Sequence, residues 1–162
     1  MEISEPEGAA MPFISKIEAR AYARATEITE RVSTAILGIF PENIRQNVSI
    51  TEEKTKGQSG DSISIVSGLL KNRDECEITF DFILKHLEKS DRRAIKRSLD
   101  LRLNNNSVFF LRIDKQGAFL GKMKLANNTD VIRARFYIRD RPRCKKKDAI
   151  LMIEKRLQDA ED

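Results

Sequence analysis

Within Val131 to Asp140, Ile132, Ala134, Phe136 and Ile138 alternate with Arg133, Arg135, Tyr137 and Arg139. A period of two is that of a β-strand, whose successive side chains point to opposite faces. One face of this strand is apolar, and the other carries three guanidiniums and a phenol. Alternate residues of a strand stand ~6.6 Å apart, near the repeat of phosphates along a polynucleotide. Arg133, Arg135 and Arg139 could each grip a phosphate, and Tyr137 could stack on a base or a sugar. Lys122 and Lys124 share one face of a short predicted strand, Lys122 to Leu125, and widen the patch if the two strands are neighbours. Arg141, Arg143, Lys145, Lys146 and Lys147 carry it past Pro142. The alternative is a solvated surface on which these cations pair with Asp and Glu from other strands.

Charge along the chain favours the polyanion. The net charge is +5, but Arg102 to Lys147 hold thirteen Lys and Arg against three Asp. Residues 1–101 and the last fifteen residues are both net acidic. So local an excess is the electrostatic footprint of a nucleic-acid binder. Aromatic residues on the expected polar face are few, Tyr22 and Tyr137, which favours phosphate and shape recognition over base reading.

Other chemistries find less support. Lys54 and Lys56 lie in a glycine-containing loop, 54–62, that lacks the spacing and terminal Gly-Lys-Ser/Thr of a nucleotide-binding loop. It reads either as a basic finger touching RNA or as a plain hairpin loop. His86 is the one histidine, so a histidine-based metal site within the chain is not expected. Cys76 belongs to the apolar side of a helix. Cys144 stands between Arg143 and Lys145, which could lower its thiol pKa, but no general base accompanies it and it reads as incidental. Asp114, Asp130 and Asp140 are too few for a two-metal nuclease. The expectation is therefore binding without catalysis, with no cofactor and no metal.

The elements that must position these residues follow from periodicity. Ile17 to Ala23 alternates small apolar residues with Glu18, Arg20, Tyr22 and Arg24, a strand with its alanines inward. Thr26 is placed to cap a helix ended by Gly38 and Pro41. Ile44 to Thr55 and Ser62 to Leu70 read as two strands. Asn72 or Asp74 begins a helix with Ile78, Phe80, Ile83, Leu84 and Leu87, and Ser90 caps the next. Strands follow at Ser107 to Asp114, at Lys122 to Leu125 and at Val131 to Asp140. A last helix carries Ala149, Ile150, Ile153 and Leu157. This order does not alternate strictly. It predicts an α+β fold: a mixed or antiparallel twisted sheet of about six strands, helices on one face and Arg and Lys on the other. Residues 1–11 read as a flexible acidic tail and 12–159 as one domain. No run approaches a membrane span, and Met1 to Glu7 has no apolar core of a secretory signal. A cytoplasmic setting is expected.

Three stretches carry a family resemblance: Leu111 to Gly121 (Leu-Arg-Ile-Asp-Lys-Gln-Gly-Ala-Phe-Leu-Gly), Asp130 to Arg135, and Glu53 to Gly57. They resemble an archaeal family of predicted RNA-binding proteins, also described as a predicted exosome subunit, over about Ile14 to Leu157. The resemblance implies a fold like that of the large-subunit ribosomal protein that holds 5S RNA, and RNA binding without known catalysis. Its motif positions fall on Lys54, Thr55 and Gly57, on Arg112, Asp114, Lys115 and Gln116, and on Arg133 and Arg135. The family loop often reads Gly-His-x-Gly-Asn-Pro, where this chain has Gly57-Gln58-Ser59-Gly60-Asp61-Ser62. In Asp114-Lys115-Gln116, either Lys115 meets phosphate and Gln116 a base or 2′-hydroxyl, or Asp114 caps the following turn and the segment is structural. RNA is the expected partner, with exosome or other RNA-processing proteins implied by the resemblance and a homodimer left open. The rival function is an interaction or dimerisation module for an acidic protein.

Overall fold

The computed structural model describes residues 11–57, 60–140 and 143–161. The expected tail 1–11, save Met11, therefore lies outside the described residues, as do Gln58, Ser59, Arg141 and Pro142. Five strands form one antiparallel sheet: β1 (Phe13–Arg24), β2 (Ser49–Lys56), β3 (Ser62–Leu70), β4 (Val108–Asp114) and β5 (Val131–Arg139), in the order β2-β3-β1-β5-β4. The helices are α1 (Thr29–Leu37), α2 (Arg73–His86), α3 (Lys89–Arg97), α4 (Leu99–Arg102), α5 (Lys115–Phe119) and α6 (Lys146–Ala160). The fold is α+β.

The alternation of β1 makes it the centre. Ile17, Ala19, Ala21 and Ala23 are buried, and their small side chains admit helices closely. α1 lies against β1 and β3, α2 against β1, and α6 against α2 and α3. Gly68 on β3 carries the same logic further: a Cβ there would stand 2.8 Å from Cγ2 of Ile36 on α1. Phe80 of α2 meets Phe109 and Phe136 of the sheet edge-on, with ring centroids 5.9 and 5.2 Å away. Arg156 of α6 clamps Glu77 and Asp81 of α2, each at 2.7 Å.

Several boundaries differ from expectation. α2 begins as predicted, with the Asn72 side chain accepting from Glu75 N–H at 3.0 Å. α1 starts at Thr29 rather than behind Thr26, and α3 starts at Lys89, so neither Thr26 nor Ser90 is its cap. The expected strand from Ile44 is a 3-10 turn (Arg45–Asn47) before β2. The predicted sixth strand, Lys122 to Leu125, is absent among the described residues. It follows a helix terminated at Gly121 (φ +80°) and touches the sheet in one bridge, Ile113 to Leu125. Lys115 to Phe119, expected as a tight segment, forms α5.

Candidate nucleic-acid interface

Helices occupy one side of the sheet, and the other side is open. Register decides what stands there. Arg133 of β5 lies directly opposite Arg20 of β1 on one side and Arg112 of β4 on the other. Three arginines thus form a row across three adjacent strands, spanning about 10 Å at the usual ~4.8 Å strand spacing. The next row holds Glu18, Arg135 and Phe110, and the one beyond it Lys16, Tyr137 and Val108. Arg24 and Arg139 complete the face at its two ends, and both are exposed.

Like charges placed directly opposite destabilise a sheet, and opposite charges nearby would relieve them. Relief here is slight. Glu18 reaches Arg20 at 3.6 Å and Arg135 at 3.8 Å, long contacts on half-exposed guanidiniums. Among the described residues neither Arg112 nor Arg133 has a carboxylate within ion-pair distance. The aromatic rings of the face sit beside its cations instead. The Arg133 guanidinium lies 5.8 Å from the Tyr22 ring, that of Arg135 lies 5.7 Å from Phe110, and the Lys16 ammonium caps Tyr137 at 4.1 Å. These distances lie within the range of cation–π attraction.

The structure brings Arg112, Arg133, Arg135, Tyr137 and Arg139 together on this face. Lys16, Arg20, Arg24 and Phe110 join them and were not among the expected site residues. The signal was present for Arg20 and Arg24 in the alternation of β1; the pairing of β1 with β5 was not.

Other expected residues lie elsewhere. Lys54 and Lys56 are exposed on β2, but opposite Ser64 and Ser62, which places them on the helix side of the sheet. Lys124 lies beyond β4, where its carbonyl accepts from Asp114 N–H at 2.9 Å, so the 122–125 segment flanks β4 and not β5. Lys145, Lys146 and Lys147 open α6, and Lys146 pairs with Asp100 at 3.1 Å. Gln116 is exposed and lines a cavity of about 240 Å³ between α1 and α5. Arg141 lies outside the described residues.

Lys115 departs furthest from a phosphate-gripping role. Its side chain is 4% exposed. Its ammonium donates to the Tyr22 carbonyl at 3.0 Å and Glu27 at 2.8 Å, and pairs with Asp130 at 2.6 Å. An ammonium has three protons, so none is left for an external ligand. Burial alone would lower its pKa, but hydrogen bonds to Asp130 and Glu27 outweigh that and hold it above the ordinary lysine value. Asp114 meanwhile caps α5, accepting from Gly117 N–H at 2.8 Å. Of the two readings of Asp114-Lys115-Gln116, the geometry of the first two residues is the structural one.

The described residues contain no cluster of three or more His, Cys, Asp or Glu able to hold a metal. Burial pushes the Cys76 thiol up to about 12. Cys144 is also raised, because burial outweighs the Ser107 hydroxyl and the nearby Arg139. Among the described residues no helix is long and apolar enough to cross a membrane.

The chain is 29% identical over 147 residues to the RNA-binding protein PAB1135 of Pyrococcus abyssi, covering 90% of this chain and 94% of that one. It is 30% identical to the uncharacterized protein MJ0213 of Methanocaldococcus jannaschii, over 76% of this chain and 84% of the other. The crystal structure of AF2318 from Archaeoglobus fulgidus, a DUF54 protein, superposes with a TM-score of 0.76 at 26% identity, over 88% of this chain and 99% of that one. The family model described as RNA binding matches residues 16–138, which take in all five strands but for the ends of β1 and β5, and the chain belongs to that family.

Proposed function

We propose that the open face of the sheet binds RNA by its phosphate backbone. The observation that carries this is the row Arg20, Arg133 and Arg112. A sheet pays stability for like charges in register, and among the described residues Arg133 and Arg112 have no carboxylate within ion-pair distance. A polyanion supplies what the fold withholds. Guanidinium–phosphate pairs are frequently bidentate and strong. The family membership and the relative named an RNA-binding protein support RNA as the polyanion.

The test is a double variant, Arg112→Ala with Arg133→Ala, titrated against a structured RNA at two salt concentrations. The expected result is affinity at least tenfold lower with unchanged circular dichroism. Unchanged affinity in a folded double variant removes this face as the site. Retention of no RNA by the native chain at low salt moves the function to the rival reading, an acidic protein partner.

A finer role, as an accessory of the exosome or of other RNA processing, follows from the sequence resemblance, as does a fold like the 5S-RNA-binding ribosomal protein. Both are consistent with a phosphate-gripping sheet without a catalytic cluster. Co-purification of exosome subunits with the tagged chain after nuclease treatment supports a protein contact; their loss on treatment assigns the association to RNA.

A further inference from the structure

The basic face does not end at β4 and β5. Past the start of β4 it opens into a groove of about 570 Å³ lined by residues 105–108, 137–139, 143 and 144. Tyr137 and Arg139 belong to the phosphate face, so groove and face are continuous. The turn that forms its rim is built by one side chain. Asn104 Oδ1 accepts from Asn106 N–H at 2.9 Å and from Val108 N–H at 3.0 Å. Asn105 and Asn106 are the two central residues of that turn, both exposed, and among the described residues no hydrogen bond engages their side-chain carboxamides.

The turn is held rigidly. Ser107 is in the left-handed region at φ +58°, the one residue other than glycine so found among the described residues. A serine there is uncommon, and it stays because its surroundings fix it. Its hydroxyl donates to the Cys144 carbonyl at 3.0 Å, and its carbonyl accepts from Ile138 N–H at 3.0 Å. The turn fixed in this way borders the groove and presents two exposed carboxamides to it.

Its chemistry is that of a nucleobase edge. A carboxamide offers a donor and an acceptor together, which matches N6 and N7 of adenine; a guanidinium matches O6 and N7 of guanine. Arg139 and Arg143 supply guanidiniums, and Tyr137, with the Lys16 ammonium against one face of its ring, lines the same groove. N7 is common to both purines and absent from pyrimidines. Inside an RNA duplex these edges lie in a groove too deep and narrow for side chains, so only an unpaired base reaches such a pocket.

We infer that the groove between the Asn105–Asn106 turn and Tyr137 takes one unpaired purine of an RNA whose adjoining phosphates lie on the arginine face. This rests on the RNA-binding reading and adds a preference for structure: a paired stem with a bulged or loop purine.

The test uses three hairpins of equal length and charge: fully paired, with one bulged adenine, and with one bulged uridine. Each is titrated against the native chain and an Asn105→Ala, Asn106→Ala double variant. The expected result is binding of the adenine bulge about tenfold tighter than either other hairpin, a preference lost in the double variant. Both asparagines are exposed, and circular dichroism confirms that the variant folds. Equal affinity for all three hairpins overturns the groove assignment and leaves the phosphate face standing. A purine preference that survives the double variant also overturns it, since the base is then held elsewhere. Failure of every hairpin to bind at low salt overturns both readings.

Discussion

Lys115 shows how a residue type can suggest one role and its surroundings impose another. In sequence it stands at the end of a basic strand beside Gln116, a natural phosphate contact. In the fold it ties three places together: the carbonyl of Tyr22 at the end of β1, Glu27 before α1, and Asp130 before β5. Replacement by methionine keeps the apolar stem and removes the charge. It is expected to lower stability by about 2 kcal/mol at pH 7, the scale of charge-assisted bonds lost at a buried site. The folded-state pKa is raised, so the stabilisation is full below the ordinary lysine value of ~10.4 and is lost as pH rises through the higher folded value. Urea denaturation of native and Lys115→Met chains across pH 7 to 11.5 should therefore show a gap that narrows above about pH 10.4. A gap constant over that range removes the charge from the explanation. RNA affinity of the same variant is expected to stay near native, because no proton of this ammonium faces outward.

At the scale of elements, legibility follows from how local the determining contacts are. β5 and β1 were readable because alternation is written in consecutive residues, and α2 because its cap and apolar stripe are. What was not readable is which strands neighbour each other. The pairing of Arg20 with Arg133 joins residues over a hundred positions apart, and no local period encodes it. So Arg20 and Arg24 were seen as the polar side of a strand and not as part of a site. Lys122 to Leu125 failed for a related reason: the alternation is there, but the segment meets the free edge of β4 in one bridge, Ile113 to Leu125. The contact between α1 and α5 is similarly non-local. Gly38 ends α1 in helical backbone (φ −62°), so a side chain there meets no dihedral strain, yet its Cβ would overlap the Ala118 carbonyl oxygen of α5. Gly38→Ala is expected to destabilise the fold by about 2 kcal/mol through overpacking. A melting temperature equal to native means that α5 shifts at no cost, and the close approach is then incidental.

The whole molecule separates its charge by face. The helical side carries both signs and its own pairs, such as Arg156 with Glu77 and Asp81. The open side carries Lys16, Arg20, Arg24, Arg112, Arg133, Arg135 and Arg139, with Glu18 as the acid in their midst. Glu18 holds two arginines loosely, and surface pairs of that length contribute little to stability, about 0–1 kcal/mol. Its larger effect is on the field of the face, where it subtracts one charge from the centre. Glu18→Gln keeps the shape and removes the charge. Phosphate binding releases counterions, so the logarithm of affinity falls with the logarithm of salt at a slope of about −0.7 to −0.9 per phosphate engaged. Freeing Arg20 and Arg135 from their carboxylate is expected to raise affinity for a hairpin RNA about threefold to tenfold at low salt and to steepen that slope by roughly one. Arg133→Ala should move the slope by roughly one in the opposite direction. The two variants together bracket the native value if the sheet face is where the phosphates lie. Slopes unchanged in both, with folded proteins, place the phosphates elsewhere on the molecule.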